Sequence, residues 1–346
     1  MTSGKPLVAV TMGDPAGIGA EVAVKAYRDA VAFARIVVVG DADVVRRAVE
    51  TCGVSLDVRV VADGDLDGVD DDPDTLAVVD CDNVADLAYG DLRAEYGAAS
   101  LEYVERAIDL AVAGDVDAIA TAPINKQATR LAGSDHAGHT GLLAERTGVE
   151  NYSMMLIEED LRVTHVSTHV PLREACDLVT TDRVLDTISV TDEALVELGV
   201  DEPRIAVAGL NPHAGDGGLL GEEDDAEIAP AVERARAEGI DAVGPMSPDT
   251  VYGSAARGEF DCVVSMYHDQ GHIPLKMLGF DASGGVSGVN MTIGLPIVRT
   301  SVDHGTAFDI AGEGVASETS MVDAVRVAAS VARDRQAAAD GVSTTD

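Results

Sequence analysis

Lysine is almost missing from this chain. Only Lys5, Lys25, Lys126 and Lys276 occur among 24 basic residues, and the remainder are arginine. Cysteine is equally sparse. Cys52, Cys81, Cys176 and Cys262 stand far apart with no CxxC pair, which argues against a disulfide framework or a zinc knuckle. Buried, reduced thiols are the expectation. No apolar run approaches the roughly 18 residues of a membrane span. The start "MTSGKPLVAV" lacks the longer apolar core and cleavage site of a signal peptide, so a cytoplasmic protein is expected. Positive charge is the largest deficit: 61 acidic residues against 24 basic ones leave a net charge of −37. Such a surface repels duplex nucleic acid and anionic membranes. The acids are scattered, with "DGDLDGVDDDPD" the densest run. They resemble the solvated surface of proteins from salt-loving organisms, where high salt screens self-repulsion. Against this background Lys126 and Lys276, both in candidate site segments, carry extra weight, with a surface ion pair as the alternative.

What is present is a globular pattern. With 346 residues and 46% apolar composition, the chain can bury a large core, as two lobes or one large α/β domain. Apolar runs at 7–11, 35–40, 76–80, 118–123, 204–211 and 261–269 read as buried strands. Helical stretches near 19–30, 42–52, 97–113, 183–198, 223–238 and 318–336 lie between most of them. This alternation predicts an α/β/α sandwich with a largely parallel sheet. "SMMLIEEDLRVTHVST" (153–168) instead reads as a hairpin. No Gly/Ser linker divides the chain, so two lobes would require it to cross between them more than once.

The stretch "MGDPAGIGAEV" follows the first strand and resembles a phosphate loop. Its glycines run Gly13-x-x-x-Gly17-x-Gly19, which is not G-x-G-x-x-G, even though Asp41 falls where a ribose-binding acid would stand. Nor does a Lys-Ser/Thr pair follow, as a P-loop requires. A tight strand-to-helix turn that needs glycine is the simpler reading.

All eight histidines fall between residues 136 and 304. His169, His213 and His268 each follow an apolar strand-like run. Ligands of open parallel sheets bind beyond the carboxyl ends of strands, and three neutral imidazoles suit a divalent transition metal. Separate structural histidines are the alternative. His165 and His272, four residues from His169 and His268, are expected to pack or to support. In "HAGHTG", His139 and Thr140 precede a helical segment whose N-terminus can hold a phosphate or carboxylate, or be capped by the threonine. In "LPIVRTSVDHGTAFDIAGEG", Arg299 is placed after a strand as an anion clamp. The following loop brings Asp303, His304 and Asp309 near glycines.

Taken together, "MGDPAGIGAEV", "APINK", "GHTG", "THVPLRE", "GLNPHAGDGG", "GPMSPDTVY", "YHDQGHIPLK" and "GVNMTIGLPIVRTSVDHGTAFDIAG" resemble the 4-hydroxythreonine-4-phosphate dehydrogenase family over roughly residues 5 to 335. The glycine loops are also similar to those of isocitrate and isopropylmalate dehydrogenases, which bind NAD without a Rossmann fingerprint. The resemblance implies two α/β/α lobes with an active-site cleft between them. The expected division is a discontinuous cofactor lobe (1–128 plus 303–346) and a metal, substrate and dimerisation lobe (129–302). It further implies a homodimer with active sites shared between subunits and a place in pyridoxine biosynthesis. A divalent metal (Zn, Co, Mn or Mg) would be held by His169, His213 and His268. Substrate contacts would come from His139, Thr140, Lys276, Asn290 and Arg299. NAD would lie on the loop of His304, Gly305, Thr306, Ala307 and Asp309, where an acid disfavours the 2′-phosphate of NADP. Asp249, Asp269 and Lys276 are the candidates for the general base, and Asp269 alternatively orients His268. One departure is the insertion "DASGGVS" at 281–287, close to Lys276 and Asn290.

The implied reaction oxidises C3 of a 4-phosphorylated 3-hydroxy acid and releases CO₂. The substrate is 4-hydroxythreonine 4-phosphate by the family name, or a 4-phosphorylated threonate or erythronate with hydroxyl in place of amine at C2. Two readings from other classes remain: acyl transfer as in phosphate acetyltransferases, whose fold is similar, and metal-dependent hydrolysis without NAD.

Overall fold

The computed structural model describes residues 4–62, 65–134, 139–149, 151–279 and 288–342. The chain forms two compact units, residues 1–148 with 296–346 and residues 149–295. In the first unit, β1 (Leu7–Thr11) leads through the glycine turn to α1 (Gly19–Ala30). Then come β2 (Arg35–Gly40), α2 (Ala42–Cys52), β3 (Asp57–Val61), β4 (Thr75–Asp80), α3 (Ala94–Ala113), β5 (Ala118–Thr121), α4 (Lys126–Leu131) and α5 (His139–Thr147). The second unit holds β6 (Ser153–Glu158), β7 (Leu161–His165), α6 (Leu172–Asp177), α7 (Thr181–Glu197) and β8 (Arg204–Ala208). It continues with α8 (Ala229–Ala237), β9 (Asp241–Met246), α9 (Pro248–Ala255), β10 (Cys262–Ser265), α10 (His268–Gly279) and β11 (Val289–Ile293). The chain then returns to the first unit with β12 (Val298–Val302) and α11 (Thr319–Val342).

Strand order in the first unit is β3-β4-β2-β1-β5-β12, parallel throughout. In the second it is β11-β6-β7-β10-β8-β9. The β6–β7 hairpin and the β11–β6 pair are antiparallel, while β7, β10, β8 and β9 run parallel. Most of the parallel strands are apolar and buried, as strands covered on both faces must be, while β3 and β9 at the ends of the strand order are more exposed. In the first unit α11 and α3 pack against the same central strands.

Local chemistry sets several boundaries. Asp41 caps α2: Oδ1 accepts from the backbone N–H of Asp43 (3.0 Å) and Val44 (3.1 Å), and Oδ2 from that of Val84 (3.1 Å). The acid that might have served a ribose is therefore used as a helix cap. The helix ends at Gly53 in the left-handed conformation. Gly13 has φ +74°, and a Cβ there would collide with the Pro123 carbonyl oxygen, so the first turn requires glycine.

Several expectations are corrected. Residues 129–148 join the first unit because α4 and α5 pack on α3, and residues 296–302 join it because β12 pairs with β5. The expected strand over 261–269 ends at Ser265, and His268 opens a helix instead. The stretch near 223–238 begins with a π-helical turn, Asp224–Ile228. No cysteine is in a disulfide, yet Cys262 alone is fully buried and the other three are partly exposed. Lys5 and Lys25 form ion pairs with Asp71 (2.6 Å) and Glu318 (3.0 Å). Among the described residues no helix is long and apolar enough to cross a membrane.

Candidate active site

In the second unit, three neighbouring parallel strands each deliver a histidine beyond their carboxyl ends: β7 leads to His169, β10 to His268 and β8 to His213. Two of the three sit in backbone that side chains rarely adopt, with φ +50° at His169 and +55° at His213. Positive φ continues through Ala214, Gly215, Asp216, Gly217 and Gly218. Strain of this kind persists only where the surroundings enforce it, and it gathers at functional sites.

At the His213 loop the enforcement comes from two side chains that sequence reasoning missed. Asp224, fully buried at the π-helical turn, accepts from the backbone N–H of Leu210 (2.8 Å) and Asn211 (3.1 Å) and from Asn211 Nδ2 (2.9 Å). It fixes the start of the His213 loop. Gln270 ties that loop to the β10 loop: its Oε1 accepts from Met266 N–H and its Nε2 donates to the Gly209 carbonyl, both at 2.7 Å. Neither was legible: Asp224 is one acid among 61, and both residues act only through partners on other segments.

The structure gathers four imidazoles. His268 stacks on His272 with ring centroids 3.6 Å apart, and His169 lies 5.4 Å from His268. His165 stands 4.8 Å from His272 and 6.2 Å from His268. Burial first, then the neighbouring imidazoles, pushes His165 down to about 3 and His272 to about 4, so both are neutral near pH 7. The packing and supporting place expected for this pair matches their burial. His272 Nδ1 faces the His268 carbonyl at 2.9 Å and so carries the hydrogen. His268 Nδ1 faces Asp269 Oδ1 at 2.7 Å and donates to it, an arrangement that turns Nε2 outward as the nitrogen available to a metal. His213 is not drawn into this cluster. Among the described residues no three His, Cys, Asp or Glu side chains are disposed to hold a metal. The donor chemistry fits a divalent cation, and the described rings supply two of the three expected donors side by side.

The other candidates are distributed as follows. Lys276 lies on α10, two turns after His268. Asn290 is in β11, where its Nδ2 points to Met154 Sδ at 2.9 Å. Asp249 is exposed in the first turn of α9 and accepts from Ser247 Oγ at 2.7 Å. His139 and Thr140 are the first residues of α5, and their side chains lie outside the described residues, as does the insertion 281–287.

In the first unit the sequence placed Arg299 after a strand. It lies inside β12, opposite Ile119, and is 3% exposed. Its Nη2 donates to Thr121 Oγ1 at 2.6 Å, and burial pulls the guanidinium down to about 10. The opening turn meets the late loop directly: Ile18 N–H donates to the Thr306 carbonyl at 3.0 Å. In that loop Ala307 has φ +44°, His304 Nδ1 faces the Gly305 carbonyl at 3.0 Å, and Asp309 is exposed.

Asp14, beside Gly13, was read only as part of a motif. It is 1% exposed, Oδ1 accepts from Ala16 N–H at 2.9 Å, and Oδ2 has no partner among the described residues. Burial raises its carboxyl from 3.8 to about 6, opposed by the Ala16 N–H. The folded state thus holds the proton better than the unfolded state. Burying Asp14 costs nothing below about pH 4, and the cost grows until about pH 6, where it reaches about 3 kcal/mol. Asp14→Asn is therefore expected to gain up to about 3 kcal/mol over the wild type between about pH 4 and 7.5. Urea unfolding across that range measures it, and a constant difference would refute the shift.

Comparison with known proteins agrees with this fold. The fold defines an α/β dehydrogenase. Residues 32–328 match the family model of pyridoxal phosphate biosynthetic protein PdxA, and the chain belongs to that family. Curated D-threonate 4-phosphate dehydrogenases of Salmonella typhimurium and Pectobacterium atrosepticum are 46% and 45% identical to it. Each alignment spans 94% of this chain and 98% and 99% of the relatives. A crystal structure of 4-hydroxythreonine-4-phosphate dehydrogenase from Klebsiella pneumoniae superposes with a TM-score of 0.84 at 44% identity. That match covers 94% of this chain and 99% of the other. The protein is a dehydrogenase of this family, and a dehydrogenase implies a nicotinamide cofactor.

Proposed function

We propose that this enzyme oxidises the C3 hydroxyl of a 4-phosphorylated 3-hydroxy acid with NAD and releases its carboxylate as CO₂. The observation that carries the reading is the set of three histidine loops leaving three adjacent parallel strands, in a chain of this family. His169, His213 and His268 would hold a divalent cation such as Zn²⁺, Co²⁺, Mn²⁺ or Mg²⁺. When bound, such an ion lowers the pKa of a hydroxyl and polarises the resulting ketone. The loop of His304, Gly305, Thr306, Ala307 and Asp309 would receive NAD, which accepts the hydride. Left-handed Ala307 and His304 Nε2, buried without a partner among the described residues, suit a loop that meets a ligand.

The chain's own groups then divide the work. His139, Thr140, Lys276, Asn290 and Arg299 bind phosphate and carboxylate, which a net charge of −37 otherwise repels. Asp249, Asp269 and Lys276 are the candidates to take the C3 hydroxyl proton, and Asp269, engaged with His268, alternatively orients that ring. Oxidation at C3 yields a β-keto acid, and loss of CO₂ follows.

With an amine at C2 the substrate is 4-hydroxythreonine 4-phosphate and the product 3-amino-2-oxopropyl phosphate. With a hydroxyl it is 4-phosphothreonate and the product dihydroxyacetone phosphate. The names of the curated relatives favour the second. Both acids assayed side by side with NAD and a divalent metal, followed by NADH absorbance, test the proposal. Failure of both to yield NADH overturns it, and the ratio of kcat/KM assigns the C2 group.

The reading includes a cytoplasmic homodimer. Ile273, Met277 and Leu278 on α10 are 59%, 73% and 48% exposed, an apolar stripe beside Lys276. Ile273→Asp with Met277→Asp is expected to convert the dimer to monomer in light scattering and to remove activity with it. An unchanged mass would remove α10 from the interface. The acidic surface fits a salt-rich interior, in which ionic screening supports the folded chain.

A further inference from the structure

Glu21 stands in "MGDPAGIGAEV", a motif with no role in the chemistry above. It lies in the first turn of α1 and is 0% exposed. Its two oxygens hold two different backbone donors: Gly312 N–H reaches Oε1 at 2.6 Å and Gly314 N–H reaches Oε2 at 2.8 Å. These donors are 291 and 293 residues away in sequence and belong to the loop that carries Thr306, Ala307 and Asp309. A second fastening joins the same segments. Ile18 N–H donates to the Thr306 carbonyl, and Gly17 is pressed so closely on Thr306 that a Cβ would come 2.9 Å from its carbonyl oxygen. Between the fastenings the loop folds on itself through Ile310 N–H to the Ala307 carbonyl (3.1 Å) and Glu313 N–H to the Ile310 carbonyl (3.2 Å).

Burying a carboxylate costs free energy unless it is fully hydrogen-bonded. Two charge-assisted bonds to main-chain donors offset that cost and stiffen whatever carries the donors. Apolar packing would have joined α1 to the loop without setting its conformation. Asp224 does the same for the His213 loop, so in each unit one strained loop is held by a buried acid on a neighbouring element.

We propose that Glu21 is a positioning residue for the cofactor: by holding the amides of Gly312 and Gly314 it fixes the conformation in which His304–Asp309 meets NAD. This rests on the reading of that loop as the NAD site. Glutamine offers one acceptor and turns its NH₂ against the other N–H, while aspartate is one methylene too short to reach both.

Glu21→Gln and Glu21→Asp test it, the second guarding against a glutamine variant that fails to fold. NAD⁺ affinity is read by calorimetry, steady-state constants by NADH absorbance, and loop amides by hydrogen exchange. The expected result is about a tenfold rise in KM for NAD⁺, with kcat at saturation within about twofold. The KM of the phosphorylated acid should hold, and exchange around 312–314 should accelerate. Unchanged NAD⁺ KM and unchanged exchange, beside a wild type that binds NAD⁺, overturn the proposal. A uniform loss of all constants with a lowered Tm also overturns it, by reducing Glu21 to a structural role. A wild type that does not bind NAD⁺ overturns the reading of the loop, and the proposal with it.

Discussion

Stripping divalent metal from this protein is expected to lower NADH formation by at least about a hundredfold, and Zn²⁺, Co²⁺ or Mn²⁺ should restore it. The expectation follows from chemistry already in place. His268 has its Nδ1 hydrogen committed to Asp269, His169 is its ring neighbour, and both His169 and His213 are held at positive φ. Metal affinity, measured by calorimetry on stripped protein, should fall sharply in His268→Ala. Asp269→Asn separates two roles. If Asp269 orients His268, metal affinity falls about 10- to 100-fold. If it is the base, kcat falls while metal affinity holds. A stripped preparation with full activity would remove the three histidines from the reaction.

The second large effect is expected at Arg299. Arg299 is a buried cation, 3% exposed and bonded to Thr121 Oγ1, and it is the arginine assigned above to the substrate's anionic groups. Arg299→Ala should raise KM for the phosphorylated acid about a hundredfold, in line with the loss of a buried, charge-assisted contact. KM for NAD⁺ should move far less. Arg299→Lys should recover part of the loss, since it keeps the charge but not the planar fork. An unchanged KM with a lowered Tm would instead confine Arg299 to holding β12 on β5 through Thr121.

Much of the scaffold was legible because its signals are local. β1, β2, α1 and α2 fall on the expected residues, and Asp41 and Gly53 show why α2 begins and ends where it does. β3 was missed because its residues are largely exposed, and "DVRVV" alternates too weakly to stand out. β12 was missed because an arginine in its second position reads as the end of a strand, and only pairing with β5 buries it. The strand-end rule placed His169 and His268, whose rings come together, whereas His213 stands outside that cluster. Asp224, Gln270 and Glu21 were not legible, since their roles depend on partners on other elements. Asp14 was hidden in another way: its proton affinity comes from burial, which no spacing reveals.

The division of the chain also sets an order of events. The second unit is one continuous stretch, 149–295, whereas the first waits for β12. Arg299 and Thr121, bonded across β12 and β5, are 178 residues apart. On a ribosome the inserted unit can therefore finish folding while β5 still has an open edge. Closing that edge is a long-range, slow step, and such edges invite mispairing until they close. The segment that follows the inserted unit thus does two jobs at once: it adds β12 to β5 and brings Gly312 and Gly314 to Glu21. An enzyme released before that segment emerges would keep the strands that carry His169, His213 and His268 and lack the loop proposed to receive the cofactor.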